Sequence, residues 1–219
     1  LHGYRNVHQV YTHCDKGYTG KVTVPVLWDK KTSTIVNNES SEIIRNLNTA
    51  FDTITGDNSD YYPPELRGEI DALNDKIYHN VNNGVYRCAF AKSQQAYEDA
   101  YDGVFKTLDE LEDILSRQRY LTGSRITEAD WRLFPTLVRF DVAYFSLFKC
   151  NRNRIADMTN LDNYMRDLYS QPGIAKTVNA RQYIANYYSI ADLNPTGLIP
   201  KGTPVDFTLP HDRERFGTG

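Results

Sequence analysis

Hydrophobic and polar positions divide the chain into a short front with strand periodicity and a long remainder with helical periodicity. The stretch KVTVPVLWDKKTSTIVNNESSEIIRNLN, Lys21 to Asn48, reads as strand, turn, strand and helix. VTVPVLW is dense in β-branched residues and ends on Trp28, DKKTS is a polar turn, and TIV is a second short strand. The two runs predict an antiparallel hairpin. NNESSEIIRNL then opens a helix, with Asn38, Glu39 and Ser40 of capping type and Ile43, Ile44 and Leu47 on one apolar face. Pro25 lies between two valines, where it cannot donate to a ladder. It marks either an edge strand or a cis-proline that leaves the backbone of Val24 free to pair with something else. Ahead of the hairpin, Leu1 to Thr12 predicts a short amphipathic helix with Val7, Val10 and Tyr11 inward, and His13 to Gly20 a polar connection.

Phe51 to Pro64 (FDTITGDNSDYYPP) reads as a linker between a front part, 1–50, and a helical part, 65–219. Beyond it no strand signal has any strength. Leu66, Ile70, Leu73 and Ile77 recur at spacings of three and four, and Asn82-Asn83-Gly84 interrupts that pattern. Ser93 to Gln118 predicts a long helix with Tyr97, Tyr101, Val104, Phe105, Leu108, Leu111 and Leu115 inward. Thr127 to Lys149 is almost continuously apolar and predicts a central buried helix, kinked by Pro135 near Trp131. Leu161 to Tyr169 and Ile174 to Ile190 are further helices. The tail from Asn194, rich in proline and glycine, is expected to wrap the surface. One strand pair followed by helices makes the fold class α+β.

Composition narrows the function classes. The chain has 219 residues and a formal net charge of −3, with a mean hydropathy of −0.58. It carries no basic patch for nucleic acid and no apolar run near the roughly 20 residues of a membrane span. Three cysteines, an odd and low number, suit a reducing compartment such as the cytoplasm. Cys14, Cys88 and Cys150 show no CxxC spacing, so neither a zinc site nor a dithiol pair is expected, and the five histidines are scattered. The 16 tyrosines are mostly packing residues, but some could line a pocket for an aromatic ligand.

Three features could carry chemistry. Glu39-Ser40 at a helix start offers free N–H groups and a positive dipole end, suited to a ligand carboxylate. Thr127 and Asp130 fit a capping box, which folding needs more than catalysis does. Tyr86 follows the Asn82-Gly84 break and is either a packed tyrosine or one aimed into a cleft. Tyr144 and Tyr188, late in their helices, are by burial habit more often core residues than site residues.

VPVLWD followed by TIVNNESSEIIR resembles the thioredoxin-like half of glutathione transferases, and most closely their Xi class, the glutathionyl-hydroquinone reductases. NNGVY, VRFDVAY and IANYY extend the resemblance over almost the whole chain. It implies an all-helical glutathione-transferase domain after an incomplete thioredoxin-like one. It also implies that Lys21, Val22, Thr23 and Val24, with Glu39 and Ser40, bind glutathione. Tyr86 takes the proton-transfer role, while Tyr144 and Tyr188, the latter beside Tyr183 and Tyr187, border the quinone pocket. A thioredoxin-like half needs a βαβ unit of roughly 30 or more residues ahead of this hairpin. In the family that unit carries the Cys-Pro-Trp-Ala nucleophile, so the nucleophile is expected upstream of this chain. The implied activity is glutathione-dependent reduction of glutathionyl-hydroquinones, with glutathione as co-substrate, no metal, and a homodimer built through the helical domain. An omega-like thiol transferase or dehydroascorbate reductase, and a glutathione-binding module without turnover, are the alternatives.

Overall fold

The computed structural model describes residues 2–202 and 205–217. The polypeptide divides into two compact units, one ending at Tyr62 and the other starting at Pro63. Leu1, in the expected first helix, and residues 203–204 and 218–219 of the tail lie outside the described residues.

In the first unit, α1 (His8–Cys14) precedes the strands β1 (Leu27–Asp29) and β2 (Thr34–Asn37), which pair antiparallel with Trp28 opposite Ile35. The turn between them is built by Asp29, whose carboxylate accepts the Lys31 N–H and the Thr32 hydroxyl, each at 2.7 Å. The helix α2 (Ser40–Thr49) follows, then a four-residue helix α3 (Asp52–Thr55) within the expected linker. Gly56, left-handed at φ 72°, ends α3.

Three expectations are corrected here. The first strand is short: Val22 to Val26 is irregular backbone, and the Val24–Pro25 peptide is cis. The first helix starts at His8, so Val7 lies outside it and is exposed while Tyr11 is buried. On α2 only Ile43 is buried; Ile44 and Leu47 face outward.

Among the described residues of the second unit the regular elements are all helical, apart from an isolated bridge between Tyr120 and Gly123. The helix α4 (Arg67–Ile77) runs through a π-helical turn (Tyr78–Asn82) into α5 (Gly84–Phe90). The Asn83 N–H reaches the Tyr78 carbonyl, five residues back, at 2.9 Å. Gly84 is required by packing rather than by backbone conformation: a Cβ there would meet Val104 Cγ2 at 2.9 Å. The helix α6 (Gln94–Arg117) starts at Ser93, whose hydroxyl accepts the Ala96 N–H, and buries Val104, Phe105, Leu108, Leu111 and Leu115.

The helix α7 (Glu128–Arg139) opens with the expected capping box and passes through Pro135. It ends sooner than expected, because a second π-helical turn (Phe140–Tyr144) follows Arg139. The departure from α geometry therefore lies at Phe140 and not at Trp131. Asp130 is fully buried and ties this start together: it accepts the Thr127 and Leu121 N–H groups at 2.7 and 2.9 Å and the Tyr164 hydroxyl at 2.7 Å. Burial pushes its carboxyl above the usual range against the pull of these donors. The helices α8 (Thr159–Ser170) and α9 (Ala180–Tyr188) complete the unit; the expected start of α9 at Ile174 is a separate 3-10 turn.

The tail does more than wrap a surface. A 3-10 turn (Arg213–Phe216) buries Arg213 completely. Its guanidinium donates to the carbonyls of Leu115, Gln118 and Arg119, the groups left unpaired where α6 ends.

Candidate functional site

In the first unit, the candidate glutathione residues are arranged by a side chain that the sequence pattern treated as plain core. Tyr11 is 3% exposed. Its hydroxyl donates to the Thr23 carbonyl at 2.8 Å and accepts the Asn38 amide at 3.1 Å. One phenol thus ties the loop before Pro25 to the approach of α2. Lys21 is held through its carbonyl, which accepts the Tyr18 hydroxyl at 2.6 Å. Val22 and Val24 are exposed, Val24 at 73%. Glu39 is the N-cap of α2, and its carboxylate accepts the Ser41 N–H. This capping acid occupies one of the N–H groups that the sequence left free for a ligand. Ser40 is the exposed first residue of α2.

In the second unit, three tyrosines from three elements converge. Tyr86 comes from α5, Tyr144 from the π-helical turn after α7, and Tyr187 from α9. The Tyr187 hydroxyl lies 2.8 Å from that of Tyr86 and 2.8 Å from that of Tyr144. Phe148, fully buried, is the floor beneath them: it stacks on Tyr144 at 4.8 Å and meets Tyr86 and Tyr187 edge-on at 5.2 and 5.5 Å. The resemblance places Tyr188, beside Tyr183 and Tyr187, at the border of a quinone pocket. Tyr188 points elsewhere, to the Ser146 hydroxyl. Adjacent helical residues are about 100° apart, so moving by one position changes the face.

The hydrogen-bond polarity of this cluster can be worked out. Three hydroxyl protons serve two hydrogen bonds, so one proton remains free. Tyr144 is buried and Tyr86 is 38% exposed. Were the free proton on Tyr144, a buried donor would be left without an acceptor, at about 1–3 kcal/mol. Of the two orders that run in one direction along the chain, the favoured one is therefore Tyr144 to Tyr187 to Tyr86, with the free proton at the exposed end. Burial pushes the Tyr144 phenol well above its ordinary value, and it pushes Tyr187 up to about 12. Such a chain holds its protons inward and offers one outward.

The cysteines do not compete with this cluster. Cys88 and Cys150 are buried. The Cys150 thiol is pushed up by its hydrogen bond to Cys88 and by burial, so it stays protonated. Cys14 is exposed, and its sulfur accepts the Ile35 N–H at 3.3 Å.

Comparison with known proteins places this arrangement in a family. The family model described as "Glutathione S-transferase, C-terminal domain" matches residues 94–167. Glutathionyl-hydroquinone reductase YqjG of Escherichia coli (strain K12) is 54% identical over 214 residues, covering 96% of this chain and 65% of that protein. The glutathione-bound structure of that YqjG superposes with a TM-score of 0.94 at 52% identity, over 97% of this chain and 70% of that one. The glutathione-S-transferase Xi of Phanerochaete chrysosporium superposes with a TM-score of 0.92 at 46% identity, over 97% and 73%. The chain belongs to the glutathione transferase family, in its Xi class. It spans 65% of the length of the curated YqjG relative. Among the described residues no helix is long and apolar enough to cross a membrane.

Proposed function

We propose that the whole protein reduces glutathionyl-hydroquinones at the expense of glutathione. The observation that carries this reading is the convergence of Tyr86, Tyr187 and Tyr144 on one relay with a free outward proton, in a chain 54% identical to a glutathionyl-hydroquinone reductase. A cysteine thiolate, not one of the three in this chain, attacks the glutathione sulfur of the substrate. The aryl carbon–sulfur bond breaks, and its electron pair stays on the ring carbon. Tyr86 delivers the proton that this carbon takes up, and Tyr187 restores it from the relay. A second glutathione thiolate then resolves the cysteine–glutathione disulfide, releasing oxidised glutathione and the starting thiolate. Substrate and one glutathione thus become hydroquinone and glutathione disulfide, with no metal or further cofactor in the balance.

Lys21, Val22, Thr23 and Val24 with Glu39 and Ser40 are the proposed glutathione contacts. Tyr11 fixes the loop that presents them. The proposed assembly is a homodimer through the helical unit, in a reducing compartment such as the cytoplasm; a monomeric mass in light scattering at micromolar concentration refutes the dimer. The decisive experiment is turnover of a glutathionyl-hydroquinone by the whole protein and by its Tyr86→Phe variant. Tyr86→Phe is expected to lower kcat by about 10²-fold, the lower end of general-acid contributions. Turnover of small mixed disulfides without any of the aryl thioether would instead establish the omega-like reading.

A further inference from the structure

We propose that the cleft beside Tyr86 binds an anionic substituent on the aromatic ring, a ring carboxylate or sulfonate, and that Arg87 and Lys92 select it. The identification of that ring with the leaving hydroquinone rests on the function proposed above. The cleft measures about 770 Å³ and lies within the helical unit, between the end of α5 and the start of α6. Tyr86 and Phe90, one turn apart on α5, contribute two partly exposed rings to its wall. An aromatic ligand meets these rings by stacking or edge contact.

Polar groups in the lining are unevenly matched. Arg87 and Lys92 bring two cations, Asn83 an amide and Asp99 the single carboxylate. Asp99 is engaged by the side-chain amide of Gln95 at 2.8 Å. Arg87 donates to the His79 carbonyl at 3.0 Å through one of its nitrogens. A guanidinium carries five N–H donors, so most of its fork remains available. Neither Arg87 nor Lys92 forms an ion pair with a carboxylate among the described residues. Two uncompensated cations beside two aromatic rings in one concave site form a receptor for an aromatic anion. A neutral hydroquinone fills only the aromatic half. A ring carboxylate supplies the acceptor that the Arg87 fork matches in geometry.

The test uses the whole protein and two probes of the same ring, hydroquinone and 2,5-dihydroxybenzoate, titrated by NMR chemical shift. The carboxylate is expected to bind about tenfold more tightly, a modest ratio because the cleft is open to solvent. That preference should shrink as salt is raised. Arg87→Gln and Lys92→Gln should each lower the ratio, and the double variant should bring it near one. Equal binding of the two probes, or an unchanged ratio in the double variant, overturns the proposal. Turnover of glutathionyl-hydroquinone by the whole protein is measured separately. Turnover without the preference removes the anion subsite and leaves the enzymatic reading standing. The preference without turnover removes that reading and leaves the cleft as a binding site for aromatic anions.

Discussion

Tyr187 and Tyr188 are neighbours in sequence with unequal expected costs of losing a hydroxyl. In Tyr187→Phe two hydrogen bonds of 2.8 Å disappear. The Tyr144 hydroxyl is then stranded in a residue only 2% exposed, which costs about 1–3 kcal/mol. The Tyr86 hydroxyl finds water, adding no more than about 1 kcal/mol. The sum is about 1–4 kcal/mol. In Tyr188→Phe the ring stays packed and only the bond to the Ser146 hydroxyl is lost. Ser146 is exposed, so water replaces it and the expected cost stays below about 1 kcal/mol. Urea unfolding followed by far-ultraviolet circular dichroism resolves this difference. A double variant sharpens it: with Tyr144→Phe present, Tyr187→Phe no longer strands a donor. The pair should therefore cost less than the sum of its singles. If Tyr188→Phe proves as costly as Tyr187→Phe, or the two tyrosine losses simply add, the relay is wrong.

Two further outcomes follow from buried groups. Arg213→Ala leaves three carbonyls at the end of α6 without their donor; at about 1–3 kcal/mol for each stranded group, less the relief of no longer burying a guanidinium, it should cost about 3–5 kcal/mol. At about 2–4 °C per kcal/mol for a domain of this size, calorimetry should show a melting temperature lower by roughly 6–20 °C; an unchanged one would mean the guanidinium only fills space. Alkaline pH should destabilise the fold, because burial raises Tyr120 to about 12 and Tyr144 further. Between about pH 10 and pH 12 these phenols stay protonated when folded and ionise when unfolded, so the native state binds more protons and stability falls as pH rises. Each contributes about 1.4 kcal/mol per pH unit, and denaturant midpoints across that window measure it.

Much of the architecture was legible because local chemistry and burial agree. Asp29 and its polar sequel make the hairpin turn, Ser93 and Thr127 start their helices, and the apolar spacing of Val104 to Leu115 matches the buried face of α6. What could not be read depends on long-range partners. Val22 and Val24 have strand propensity, but Pro25 and the hold of Tyr11 on Thr23 keep them out of the ladder. Both π-helical turns insert a residue into otherwise regular patterns, which shifts the facing of everything beyond them. Choosing Tyr187 over Tyr188 needs the rotation of α9 about its axis, and two adjacent tyrosines give no local signal for it. Arg213 sits in the polar run DRERF, which reads as solvated until the end of α6 is seen to require a donor.

The hold of Arg213 on α6 also bears on how the helical unit closes. Its partner Leu115 stands 98 positions earlier in the chain. Closing so long a loop carries an entropic cost that must be met before the contact contributes. Until the tail docks, the final carbonyls of α6 remain wet, and α6 is the helix on which Val104, Phe105, Leu108 and Leu111 build the core. The tail therefore belongs to the cooperative unit. Amides near the end of α6 and those of residues 213–216 should exchange with solvent together, as a single opening event rather than as a fraying terminus.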